Sequence, residues 1–237
     1  MVILTQVWTT HFEHVLEAVL RALQHADDKL REQAAACAKD LLRGQPQRFR
    51  AFTEHVLLRL LSSARDPSAE AAAVAEEALE LLLSISDAHR CMAVLVPIVS
   101  QLHGDRTRTL NPSPNSNPNP CPNPKPNPGP KQVSKEPPPT LQLAVRLQSK
   151  LVGRFSAVQL LSILPQVLPP LFHAFKNQNA DVRKAVVFSL VDMFLVLGED
   201  LTPHLAELST SQLKLVTIYI NRTTKARADQ LDLQRGD

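Results

Sequence analysis

Aromatic side chains make up only 4% of this 237-residue chain, and glycine occupies six positions. A sheet core assembled from aromatic and β-branched residues therefore lacks its usual material. There is no Gly-x-x-x-x-Gly-Lys-Ser/Thr loop, no Gly-x-Gly-x-x-Gly turn and no Gly-x-Ser-x-Gly elbow, so phosphate cradles and the nucleophile elbow of a hydrolase are excluded. Cysteine is as sparse: Cys37, Cys91 and Cys121 are odd in number and far apart, without a Cys-x-x-Cys pair. Such spacing argues against a disulfide framework and suits reduced thiols, with Cys37 and Cys91 expected as small buried hydrophobes in helices. Long apolar runs are missing too. Met1–Trp8 has no basic region or apolar core of a secretory signal, and the nearest candidate for a span, Ala185–Leu197, is short and holds Asp192. A soluble, cytoplasmic chain without membrane insertion is expected.

What remains is rich in leucine and alanine. Hydrophobic residues make up 44% of the chain, enough to bury a core, and the balance favours helix. The net charge of +3 has a local origin: residues 104–140 carry five basic and two acidic residues, and removing them from totals of 26 and 23 leaves 21 of each. A neutral body lacks the basic face that nucleic acid requires.

Periodicity sets the architecture. Phe12, Val15, Leu16, Val19, Leu20 and Leu23 recur at three- and four-residue intervals and predict one helix. A break at His25–Asp28 follows, with Asp27 or Asp28 as cap of a second helix through Leu30, Ala34, Cys37, Ala38, Leu41 and Leu42. The same hairpin recurs over Gln47–Ala64 and Ser68–Leu83, with Pro67 placed in the first turn of the latter. A third begins at Ala88 and resumes at Leu141–Val152. A fourth covers Val158–Phe175 and Asp181–Leu197, and an amphipathic helix over Ser209–Arg222 caps the stack. Starts near residues 8, 47, 88 and 157 give spacings of about 40, about 40 and, across the inserted stretch, about 70 residues, against a HEAT period of about 40–47. The expected fold is all-α, a HEAT-repeat right-handed solenoid of about four hairpins plus a capping helix. Its divisions are residues 1–103, an insertion at 104–140, residues 141–225 and a flexible tail at 226–237.

The insertion is compositionally distinct. Twelve of nineteen prolines lie between Pro112 and Pro139, alternating with asparagine, and no aromatic residue occurs among them. Proline removes donors and fixes φ, so a disordered, partly polyproline-II tether is expected. Elsewhere the polar residues offer no catalytic set. His11 and His14 are one helical turn apart without a third ligand at diagnostic spacing, and the neighbours Glu76–Glu77 and Asp27–Asp28 diverge around a helix. No enzyme activity, metal or cofactor is expected. Ser162-Ile163-Leu164-Pro165 is one residue away from a Ser-x-Ile-Pro signal but falls within a helical pattern, and is read as core plus a helix kink.

One run of residues resembles a known family. Val182-Arg183-Lys184-Ala185-Val186-Val187-Phe188-Ser189-Leu190-Val191, then Gly198-Glu199-Asp200-Leu201-Thr202-Pro203-His204-Leu205, then Leu208, Ser211, Lys214-Leu215 and Tyr219-Ile220-Asn221-Arg222, is similar to the end of the CLIP-associating proteins, the CLASP, Orbit or MAST family. Trp8 with His11-Phe12, Gln45-Pro46 with Arg48-Phe49, Asp66-Pro67, Glu76-Glu77-Ala78 and Val94-Leu95 with Pro97-Ile98 extend the resemblance over nearly all of the chain outside the insertion. It implies a C-terminal HEAT domain related to tubulin-binding TOG arrays, and hence a TOG-like solenoid. Its implied partners are CLIPs, kinetochore, cortical or Golgi adaptors, and microtubules or tubulin directly or through these. The implied roles are microtubule stabilisation, plus-end function and spindle assembly. The upstream TOG domains and basic Ser-x-Ile-Pro linker of the family lie outside this sequence, which is read as either a fragment or a truncated gene product. A generic HEAT adaptor unrelated to microtubules would share the periodicity without the Gly198–Arg222 match.

In stacked hairpins the turns within each hairpin line one edge, which in TOG domains faces tubulin. The residues expected to bind partners are Asp28, Arg65, Lys176, Asn177 and Asn179 on that edge, and Lys214, Tyr219 and Arg222 on the final helix. The insertion is expected to hang over the same edge and to hinder a flat partner.

Overall fold

The computed structural model describes the backbone of residues 2–104 and 139–235 and the side chains of residues 8, 10–101 and 141–230. Most of the Pro/Asn-rich stretch, with Cys121 and the tether expected there, lies outside the described residues. The elements in order are α1 (Val2–Ala22), α2 (Asp28–Gly44), a 3-10 segment (Pro46–Ala51), α3 (Thr53–Ser63), α4 (Ala69–Ile85), α5 (Ala88–Gly104), α6 (Pro139–Val152), α7 (Ala157–Phe175), α8 (Ala180–Leu197), a second 3-10 segment (Gly198–Leu205) and α9 (Thr210–Arg235). No strand occurs among the described residues.

Helix starts follow capping chemistry. Asp27 accepts the N–H of Leu30 at the head of α2, Ser68 that of Ala71 at α4, and Asn179 that of Asp181 at α8; each satisfies a donor that the first turn leaves unpaired. At α7, Ser156 and Gln159 form a capping box. Ser68 rather than Pro67 caps α4, so Pro67 stands before the helix instead of in its first turn. The helix expected over Gln47–Ala64 is divided near Phe52. Phe49 O accepts from Phe52 N at 2.9 Å and from Thr53 Oγ1 at 3.1 Å, which closes a tight i→i+3 turn before α3 begins.

Paired helices build two layers. α1, α3, α5 and α7 form one, and α2, α4, α6 and α8 the other; α2 packs on α4, α6 on α8, α5 on α7, and α9 covers α8 at the end. Alanine decides how closely the first pair approaches: Ala34, Ala35 and Ala38 of α2 and Ala71, Ala75 and Ala78 of α4 are all buried. Phe49 anchors the opposite layer, meeting Phe12 edge-to-face at 5.3 Å between ring centres. A continuous apolar core runs from Phe12 to Ile220.

Several expectations are corrected. Cys91 is buried but Cys37 is exposed, as is Leu30, because the buried stripe of α2 runs through Ala34, Ala35, Ala38, Leu41 and Leu42 and leaves both outside it. α9 extends to Arg235, through residues assigned to a flexible tail. No glycine or proline interrupts it there, and Thr223 and Thr224 bond back to the carbonyls of Tyr219 and Ile220. The helix nearest to a membrane span in length and mean hydropathy, 1.3, is α7 rather than Ala185–Leu197. Its Leu160, Leu164, Val167, Leu168 and Leu171 are buried in the core.

Candidate partner-binding edge and final-helix face

Three of the hairpin turns are built alike. Two residues before each cap, a side chain accepts the cap's own N–H: His25 Nδ1 from Asp27 at 3.1 Å, Asp66 Oδ1 from Ser68 at 2.9 Å, and Asn177 Oδ1 from Asn179 at 2.9 Å. Four residues after the cap, arginine returns to the turn. Arg31 donates to His25 O and Ala26 O at 2.8 and 3.0 Å, and Arg183 donates to Asn177 O and Gln178 O at 2.7 and 2.6 Å. The α3–α4 turn has Ala72 at that position and draws on the preceding hairpin: Arg31 spans to Asp66 with bonds of 2.5 and 2.8 Å while also holding Asp28 at 2.7 Å. The Arg31 guanidinium, with burial opposing it, holds the Asp66 carboxyl below the usual carboxylate range. Arg31 is correspondingly raised, chiefly by Asp66.

Ion pairs then fix direction. Arg31 meets Asp66 and Lys39 meets Glu77, ascending α2 and α4 together; Arg146 meets Glu76 and Lys150 meets Glu80, ascending α6 and α4 together. At the far end Arg154 donates to Leu83 O and to Ser86 O, the latter at 2.8 Å, and so covers carbonyls at the end of α4. α2, α4 and α6 therefore run parallel. Their N-termini share one edge with the turns before α2 and α4.

Asp28, Arg65 and Lys176 are exposed on turns of this kind, Asp28 paired with Arg31. Asn177 departs from expectation. It is 8% exposed, and its side chain closes the turn, so it shapes the ridge and presents little to a partner. Asn179 is half-buried and employed as the cap.

The final-helix residues gather around a second feature. Tyr219 of α9 lies edge-to-face against Phe188 of α8, ring centres 5.6 Å apart and planes at 83°. The Arg222 guanidinium sits 5.9 Å from the Tyr219 centre, and Lys184 Nζ sits 6.0 Å from that of Phe188. Lys214 is exposed on α9 and does not line the groove formed here by Ala180, Arg183, Lys184, Val187, Phe188, Leu215 and Tyr219. Lys184 and Phe188 stand one helical turn apart in the sequence. What the sequence could not supply was that α9 would bring Tyr219 onto them.

Chemically, both features suit recognition. Among the described residues no three His, Cys, Asp or Glu side chains converge as a metal site would require.

A scan of protein-family models finds no match. Among curated proteins, a CLIP-associated protein of Arabidopsis thaliana is 33% identical over 221 residues, covering 93% of this chain. CLIP-associating protein 1-B of Xenopus laevis is 31% identical over 216 residues, covering 91%. The chain is a homologue of a segment of the CLIP-associating proteins. It spans about an eighth of these relatives, 13% and 12% of their lengths. Two solved structures agree on the fold at 14% identity. The MAST/Orbit N-terminal domain aligns with a TM-score of 0.61 over 90% of this chain and 81% of its own. A chain from the structural basis of microtubule plus end tracking by XMAP215, CLIP-170 and EB1 aligns at 0.64 over 91% and 79%. The CLASP-like chain is thus a HEAT-type, TOG-like helical solenoid, and the arginine-locked turns belong to that scaffold.

Proposed function

We propose that this chain is a non-enzymatic, microtubule-associated scaffold: a CLASP-type C-terminal domain that recruits partners to microtubules. The observation that carries the reading is 33% identity to a CLIP-associated protein extending over 93% of the chain, so the whole solenoid, not one repeat, is shared. The geometry supports it. A stacked core presents rigid ridges, and affinity in such scaffolds comes from a few anchors on them. Asp28, Arg65 and Lys176 on the turns and Lys214, Tyr219 and Arg222 on α9 are the anchors we assign, with Asn177 and Asn179 holding their turn in shape.

In this reading the partners are CLIP-family proteins and kinetochore, cortical or Golgi adaptors, with tubulin engaged directly or through them. The chain acts at the microtubule cytoskeleton, at plus ends and on the spindle. The test is a pull-down with the full chain from cell extract, scored for tubulin, CLIP-family and kinetochore proteins. Recovery of at least one class by the wild-type chain is expected, and recovery of none refutes the function while leaving the fold untouched.

A further inference from the structure

Surface cations are not used alike along this molecule. In the first three hairpins Arg21, Arg31, Lys39, Arg43, Arg146 and Lys150 each meet a carboxylate, while exposed Lys29 and Arg65 form no ion pair among the described residues. Around the α8–α9 groove Lys184 and Arg222 meet none among the described residues; each instead stands beside an aromatic ring. Arg183 lines the groove as well, no carboxylate does, and α9 adds exposed Lys214 and Lys225.

Apolar surface is open in the same groove. Phe188 and Leu215, each about two-fifths exposed, line it, whereas α9 buries Val216 and Ile220. The groove encloses about 290 Å³, just below the ~300–1,000 Å³ of small-molecule pockets. It has room for an anchoring side chain rather than a cofactor.

We infer that the α8–α9 groove binds an acidic peptide segment, seating an aromatic or branched aliphatic anchor against Val187, Phe188, Leu215 and Tyr219 while its carboxylates meet Lys184 and Arg222. Burying the anchor removes apolar surface from water, and unpaired cations at the rim select for acidic flanks and accelerate encounter. A nucleic-acid strand fits less well. Phe188 and Tyr219 meet edge-to-face with a cation beside each, instead of offering the open parallel faces on which bases stack. The inference rests on the partner-recruiting reading and names the chemistry of the partner.

A random dodecapeptide phage library panned on the full chain, with subtraction on Lys184→Glu, tests it. Enriched peptides should carry at least two acidic residues flanking an aromatic or branched aliphatic one. Synthesised with a fluorophore, they should bind about tenfold more weakly to Lys184→Glu and at least about fivefold more weakly to Phe188→Ala. They should bind equally to Leu58→Ala, an exposed-leucine control on α3. Helical circular dichroism should be unchanged in all three. Enrichment of basic or uncharged peptides, affinity indifferent to both groove variants, or tighter binding of a labelled oligo(dT) strand overturns the inference. The extract pull-down repeated with Phe188→Ala separates the two claims. Equal recovery of microtubule partners by wild type and variant overturns the groove and leaves recruitment standing; no recovery by either, with peptide binding intact, overturns recruitment alone.

Discussion

Replacing Phe49 with alanine should detach the first hairpin while sparing the last. Phe49 is 1% exposed and meets Phe12 at 5.3 Å, while Phe12 also meets Trp8 at 6.3 Å and Phe52 at 6.1 Å. Truncating a buried phenylalanine costs about 3–5 kcal/mol through lost transfer energy and the cavity left behind. Of this about 0.5–1.5 kcal/mol belongs to the edge-to-face contact with Phe12. That sum is a large part of the ~5–15 kcal/mol that stabilises a domain, and in a stack of hairpins it falls mainly on neighbouring units. Residue-resolved hydrogen exchange should show α1 and Pro46–Ala51 losing protection first, with α7 and α8 retaining it. A double-mutant cycle with Phe12→Leu and Phe49→Leu should return a coupling of about 0.5–1.5 kcal/mol. Equal loss of protection in α8, or a total cost below about 1 kcal/mol, would refute the placement of Phe49 at this joint.

Gly198 has φ 61° and ψ −138°, a region that other residues occupy at a cost of about 1–3 kcal/mol. A Cβ there meets nothing within 4 Å, so Gly198→Ala should lower Tm through backbone strain alone; an unchanged Tm in a thermal melt would contradict this. Asp192 is raised above the usual carboxylate range, first by burial, with Ser149 and Arg227 opposing. The native state then holds its proton more tightly than the unfolded chain, so this group's contribution to stability falls as pH rises from the ordinary carboxylate pKa through the folded one. Asp192→Asn should remove that slope from urea midpoints measured across the acid range, and an unaltered slope would count against it. Gln148 is fully buried, and both its side-chain polar atoms are unpartnered among the described residues. Gln148→Met should therefore raise stability by about 1–3 kcal/mol in chemical denaturation, and a loss would show that the amide is satisfied. Burial pushes the Cys91 thiol up to about 11, whereas Cys37 is exposed. Iodoacetamide at neutral pH should label Cys37 first by peptide mass spectrometry, with Cys91 reacting only in denaturant; comparable labelling of both in the native chain would be inconsistent with this core.

Much of the molecule was written in short-range pattern. Hairpin count and order, and a cap at Asp27 or Asp28, follow from residues within a few positions of one another. Helical periodicity and capping are contacts of that range. Resemblance centred on Val182–Arg222 pointed to the family that the 33% identity supports. Tertiary structure decided what each exposed or buried polar group does. Asp66 finds Arg31 thirty-five residues away, Asn177 turns inward to close its turn, and Cys37 falls just outside the stripe that α4 covers. The cluster of Phe188, Tyr219, Lys184 and Arg222 exists only because α9 docks on α8. Such contacts join residues far apart in the chain, and their geometry is set by how one helix packs on the next, which no periodicity within either helix records.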